Sequence, residues 1–226
     1  SDLAALRLGA SGDPDAASAI VARLGVEDDS CVREDLTWAT VQLIDTALPD
    51  VVAMLGSDEP GARRTGAHVL SKVGDPDHFE MLEPLVADAH ADVAIKAYRA
   101  VANTGRPEAV AALASRLGDG DALQRDALTA AFVRCGEASV PALVSALASA
   151  DATVRAHAAE TLGDLGERAG DAVDALAALA GDPDAAARVA ATSALGQLGE
   201  PATDALRGLS GSSDAVVAAI ARSFVG

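Results

Sequence analysis

The sequence predicts an all-α superhelix of about seven helix-hairpin repeats, and three observations predict it. First, Asp151–Gly166 reads DATVRAHAAETLGDLG, and Asp182–Gly199 reads the near-copy DPDAAARVAATSALGQLG. Second, a carboxylate stands four residues before an arginine at Asp29/Arg33, Glu59/Arg63, Asp121/Arg125, Asp151/Arg155 and Asp184/Arg188. With His90 and Asp214 in the two degraded places, the leading residues step by 30, 31, 31, 30, 33 and 30 positions. Third, 50% of the residues are hydrophobic but only 2% are aromatic, a composition suited to closely packed small helices.

Each period contains two helical patterns. The first carries an apolar stripe at helix spacing, as in Val154, Ala158, Thr161, Leu162 and Leu165, and again in Ala187, Ala191, Ala194, Leu195 and Leu198. Its leading acid stands where an N-cap satisfies free amides and the helix dipole. The arginine one turn later is placed for an i,i+4 pair. Gly74, Gly105, Gly136, Gly166 and Gly199 are placed to close these helices. The second helix often begins near a proline, which loses nothing at the first helical position. Its stripe runs through Phe79, Leu82 and Val86, then Val110, Leu113 and Leu117, then Val140, Leu143 and Leu147. A short helix pair cannot bury both faces alone, so each repeat must lean on its neighbours, and the near-duplication follows. The repeats fall near 1–28, 29–58, 59–89, 90–120, 121–150, 151–183 and 184–213, with a partial unit at 214–226, all within one array. The last helix pattern leaves Val216, Ile220 and Phe224 without a following helix. That points to a longer parent chain or to end-to-end association.

The string D-x-x-V-R-x-x-A-A-x-x-L-G-x-L-G at 151–166 resembles the HEAT repeats. The period near 30 resembles the short bacterial type also found in phycobilisome lyases. The resemblance is clear from Asp151 and Asp184, fair from Glu59 and weak elsewhere. It implies a right-handed α-solenoid with second helices on the concave side. It also implies a ladder in which Arg125, Arg155 and Arg188 meet acids of adjacent repeats. It transfers a scaffold role in protein binding and no reaction.

Charge and motifs limit the function further. There are 34 acids against 17 bases, a net charge of −17, and only two lysines, Lys72 and Lys96. That balance disfavours nucleic acid and anionic lipid and favours a basic or neutral protein partner. The two cysteines, Cys31 and Cys135, are too few for a disulfide framework and too far apart in sequence for a metal motif. No apolar run approaches the roughly 18 residues of a membrane span. A cytoplasmic protein is expected. The histidines show no H-E-x-x-H spacing, the glycines no phosphate-loop pattern and the serines no G-x-S-x-G elbow. No catalytic residue, metal site or cofactor is expected.

Four residues are candidate partner contacts. Trp38 shares its register with His68, Arg99, Ala130, Glu160 and Ser193, a mostly polar row, so its ring should point away from the core. It is either an interface anchor or a cover over a neighbouring loop. Met81, with Glu80 and Glu83, lies on the second helix of its repeat, where equivalent outward positions such as Ala112, Ser115, Ala142 and Ser145 are small. Two alternatives come by family analogy. One is a bilin-lyase-like chaperone. The other is a DNA glycosylase of the HEAT-like fold, which would need a basic cleft with aromatic residues and a catalytic acid.

Overall fold

The computed structural model describes residues 14–225. Among them every regular element is helical. The expected opening helix in residues 1–13 lies outside the described residues. Two compact units divide the chain, residues 1–106 and 107–226.

The first unit contains α1 (Pro14–Leu24), α2 (Ser30–Gln42), α3 (Ile44–Leu55), α4 (Pro60–Val73), α5 (Phe79–Leu82) and α6 (Ala91–Asn103). The first helices of its repeats, α2, α4 and α6, pack in sequence, and the second helices α1 and α3 lie against them. The second helix after α4 is broken: α5 is one turn, between 3-10 segments Pro76–His78 and Glu83–Ala87. Pro76 and Pro84 explain the break, since neither has an amide to continue a helix. Phe79, Leu82 and Val86 are nevertheless buried as the stripe requires.

The second unit contains α7 (Glu108–Ala114), α8 (Ala122–Cys135), α9 (Val140–Ala146), α10 (Ala152–Leu165), α11 (Val173–Leu179), α12 (Ala185–Leu198), α13 (Thr203–Leu209) and α14 (Ala215–Val225). Its second helices, α7, α9, α11 and α13, are all short. A stretch from Ala122 to Ala146 has the mean hydropathy, 1.3, and the length of a membrane span. Gly136, at φ 67°, divides it into α8 and α9, joined by a 3-10 turn.

The caps follow the sequence pattern. Asp29, Asp151, Asp184 and Asp214 accept first-turn amides, and Asp121 forms a full capping box with Gln124. Glu59 and His90 occupy the N-cap without a side-chain bond. The closing glycines divide into two kinds. Gly74 is left-handed, at φ 67° and ψ 25°. Gly136, Gly166 and Gly199 combine positive φ with ψ of −143°, −141° and −135°. That region is open to glycine alone, so the turn into the second helix demands it more strictly than a left-handed cap would.

Two glycines set helix contacts. A Cβ on Gly163 in α10 would sit 3.0 Å from the Ala194 Cα of α12. Gly196 is covered by the Phe224 ring, yet the row on α14 expected to be exposed stays largely so. Phe224 packs one face on α12 and stays 49% exposed, Ile220 is half-buried, and Val216 is 55% exposed.

Candidate functional site

The acid–arginine device does not make the i,i+4 pair its spacing offers. The acid caps its helix, and the arginine turns toward the segment that leads into the next repeat. Arg63 holds Asp88 through Nε at 2.7 Å and a second nitrogen at 3.0 Å. Arg155 holds Asp182 in the same way, at 2.8 Å twice, and Arg188 reaches Asp214 at 2.8 Å. Each also donates to two carbonyls of its own preceding loop. Asp88 and Asp182 stand two residues before an N-cap, where each also accepts that cap's amide. In the equivalent places Ser57 and Ser149 take over the amide bond. Arg33 and Arg125 make no acid contact among the described residues: each donates to a carbonyl of its own loop, Glu27 and Gly120, whereas Arg188, with Ser212 in that place, reaches the N-cap Asp214 instead. Of the rungs implied to acids of adjacent repeats, Arg188–Asp214 is present, Arg155 finds its acid, Asp182, at the end of its own unit, and the rung for Arg125 is missing.

Trp38 projects from α2 and is 45% exposed. The Lys72 ammonium lies over its ring, 4.3 Å from the centroid. Lys72 is 2.7 Å from Glu34, whose other oxygen is 3.5 Å from His68. Glu34 and Trp38 are one turn apart on α2, as are His68 and Lys72 on α4, so four side chains interlock across two helices. The Lys72 hydrogen bond holds the Glu34 carboxyl below its usual range.

Beside this cluster is a cavity of about 210 Å³ between α2, α4 and α6. Arg33, Arg64, His68 and Lys96 line it, and Glu34 is its one lining acid. Burial pushes the Lys96 ammonium below its ordinary value, and the Arg64, Arg99 and Lys72 charges add to this. His68 is also held down, by burial first and the Lys96 charge next. The expectation of an acidic surface is thus reversed locally: both lysines of the chain meet three arginines here.

The second-helix candidates are not part of this cluster. Glu80 and Glu83 are exposed and Met81 is half-buried at the broken helix. Glu80 approaches Arg106 at 3.8 Å. Sequence reasoning identified Trp38 but missed the basic residues around it. Their signal was present: both lysines fall on consecutive first helices.

The second unit differs. Its first-helix surface has shallow clefts lined by Asp126, Thr129, Glu160, Asp164 and Gln197. Burial raises the Glu160 carboxyl above its ordinary value. Arg125 opposes the rise, and Asp164 and Asp126 add to it. His157 is buried, accepts the Gly118 amide at Nδ1 (3.1 Å), and meets Thr129 at Nε2 (3.1 Å). It is a satisfied core histidine, held below its usual value chiefly by burial. Among the described residues no group of three His, Cys, Asp or Glu is placed to hold a metal ion.

The profile of the HEAT repeats family matches residues 140–224. Residues 140–224 carry HEAT repeats. Its fold is similar to solved solenoid structures. One is a TOG domain of crescerin, described as regulating microtubules in the primary cilium. That match has TM-score 0.58 and 15% identity, and covers 78% of this chain and 88% of that one. Another is an archaeal HEAT-like repeats protein from Thermococcus onnurineus NA1, with TM-score 0.54, 12% identity and coverage of 92% and 95%. The CpcE–CpcF phycocyanin lyase of Nostoc sp. PCC7120 is also similar, at TM-score 0.44, 19% identity and coverage of 99% and 88%. No curated protein sequence matches the chain. At these identities the likeness is one of fold.

Proposed function

We propose that the chain is a non-catalytic protein-binding scaffold whose partner rests on the first helices of residues 1–106, with Trp38 as its anchor. The carrying observation is the half-exposed indole in an otherwise polar row, held under Lys72 and ringed by paired polar groups. A large ring with restrained neighbours loses little freedom on binding and is well suited to be a hot spot. The net charge of −17 favours a basic or neutral partner over most of the surface. Met81, Glu80 and Glu83 would form a separate, weaker contact on the second helices. Two unpaired cysteines fit a reducing compartment, the cytoplasm.

One observation favours a second reading. The basic cavity beside Trp38 and Glu34 has the ingredients named above for a DNA glycosylase. Against it stand a single ring and a net charge that opposes a long phosphate backbone. The bilin-handling alternative draws no support from the cavity, which is too polar to bury a chromophore.

The test is affinity capture from the native host, followed by reconstitution with the purified partner. Trp38→Ala should weaken the reconstituted complex more than about tenfold. Unchanged affinity would move the site elsewhere, and failure to recover any stoichiometric partner would count against a scaffold.

A further inference from the structure

We propose that the cavity between α2, α4 and α6 binds a phosphoryl group, held by Arg33, Arg64 and Lys96. The cavity concentrates positive charge that the fold does not use. Arg63, one residue from Arg64, is committed to Asp88. Arg33 pairs with no acid among the described residues, donates to the Glu27 carbonyl and lines the cavity. Among the described residues Arg64 and Lys96 form no salt bridge, although the chain has twice as many acids as bases. Glu34 is already engaged by Lys72 and His68. Packing like charges together costs stability, and the Lys96 ammonium is held below its ordinary value by burial first and by the Arg64, Arg99 and Lys72 charges after it.

A bound dianion would relieve the repulsion. Guanidinium forks beside an ammonium match the oxygens of a phosphate. The surplus of positive charge exceeds what a single carboxylate would neutralise. The cavity's size suits a phosphoryl group with a small attachment. A nucleic acid fits less well, because phosphates on either side would meet a net acidic protein. The phosphoryl group could come from a free phosphate monoester or from a phosphorylated side chain. This site stands apart from the scaffold reading, and a failure here would leave partner capture unaffected.

The chain's single tryptophan is a built-in reporter, because Trp38 lies under Lys72 and Lys72 is tied to the cavity through Glu34. The experiment titrates inorganic phosphate, a phosphoserine peptide, its unphosphorylated form and single-stranded DNA at constant ionic strength. Trp38 fluorescence and calorimetry are both followed. Phosphate should bind saturably, in about the millimolar range or tighter. Arg64→Gln and Lys96→Gln should each weaken it about tenfold or more, with melting temperatures unchanged or raised. Arg207→Gln, an exposed arginine paired with Asp204, should leave binding unchanged. A phosphopeptide that binds more tightly than phosphate identifies a phosphorylated protein as the source, and equal binding identifies a free monoester. The proposal is overturned by no saturable phosphate binding, by an equal response to chloride, by binding that both cavity variants retain, or by DNA binding more tightly than the phosphopeptide.

Discussion

The two units present the same helix face with opposite charge. At the register of Glu34, α4 has Arg64 whereas α8 has Asp126. At the register of Trp38, α4 and α6 have His68 and Arg99, whereas α10 and α12 have Glu160 and Ser193. At the register of Lys72, α10 and α12 have Asp164 and Gln197, although α8 keeps a base, Arg134. These positions face solvent, so the repeat fold leaves them free while it fixes the buried stripe beneath. Packing fixes one set of residues and leaves the other to function. The difference teaches that net charge is a poor guide to a site in a repeat protein, because each repeat can carry its own sign.

The largest expected effect tests the frame that both units share. Arg155→Ala removes a two-bond grip on Asp182 and two carbonyl contacts, leaving a carboxylate that is only 9% exposed without its partner. Leaving one member of such a pair alone is costly. We expect the melting temperature to fall by about 6 °C or more, with Arg63→Ala similar because Asp88 is held in the same way. Arg33→Ala, with no acid to release, should change it by about 1 °C or less. Equal losses at Arg33 and Arg155 would show that the interrupted ladder is not a real difference between repeats.

The next effect separates the two histidines. His157→Ala leaves the Gly118 amide without its acceptor and the Thr129 hydroxyl with Thr161 alone, at a cost of about 1–3 kcal/mol. His68→Ala removes one long contact at a half-exposed site and should cost less than about 0.5 kcal/mol. Both imidazoles have lowered pKa values in the folded state. The unfolded chain therefore binds more protons once the pH falls below about 6.5, and stability declines from there downward. His157→Gln should flatten part of that decline in urea-midpoint measurements between pH 7 and 5. A decline as steep as that of the wild type would assign it to other groups.

Much of the fold was legible in the sequence. Period, caps and buried stripes follow from spacing, and closing glycines are placed where a side chain could not adopt the backbone angles. Two features were less visible. The arginine finds its partner in the loop before the next helix, where Asp88 and Asp182 stand two places before the N-cap and Asp214 is the N-cap itself, residues the i,i+4 reading never consults. The basic cavity needs three helices side by side, and no linear window brings Arg33, Arg64 and Lys96 together. Trp38 was visible as an outward residue because its register is mostly polar in the other repeats. Its Lys72 partner was hidden by the same distance along the chain.

The smallest expected effect sharpens the comparison from the acidic side. Glu160 shares its surface with Asp164 and Asp126, and its carboxyl is raised above the usual value, by burial first. A raised acid favours the folded state when protonated, and this contribution is lost as the pH rises through its folded pKa. At pH 7 the ionised Glu160 is thus a mild burden, limited because the side chain still reaches solvent. Glu160→Gln should raise stability at pH 7 by no more than about 0.5 kcal/mol. Below about pH 4.5, where the wild-type carboxyl is itself protonated, the gain should disappear. Urea midpoints for the two proteins at pH 7 and pH 4 measure this directly. A gain that persists at pH 4 would mean that the carboxylate's charge is not the cause. The acidic face of α8, α10 and α12 would then be an ordinary solvated surface, without the electrostatic strain that also marks its basic counterpart.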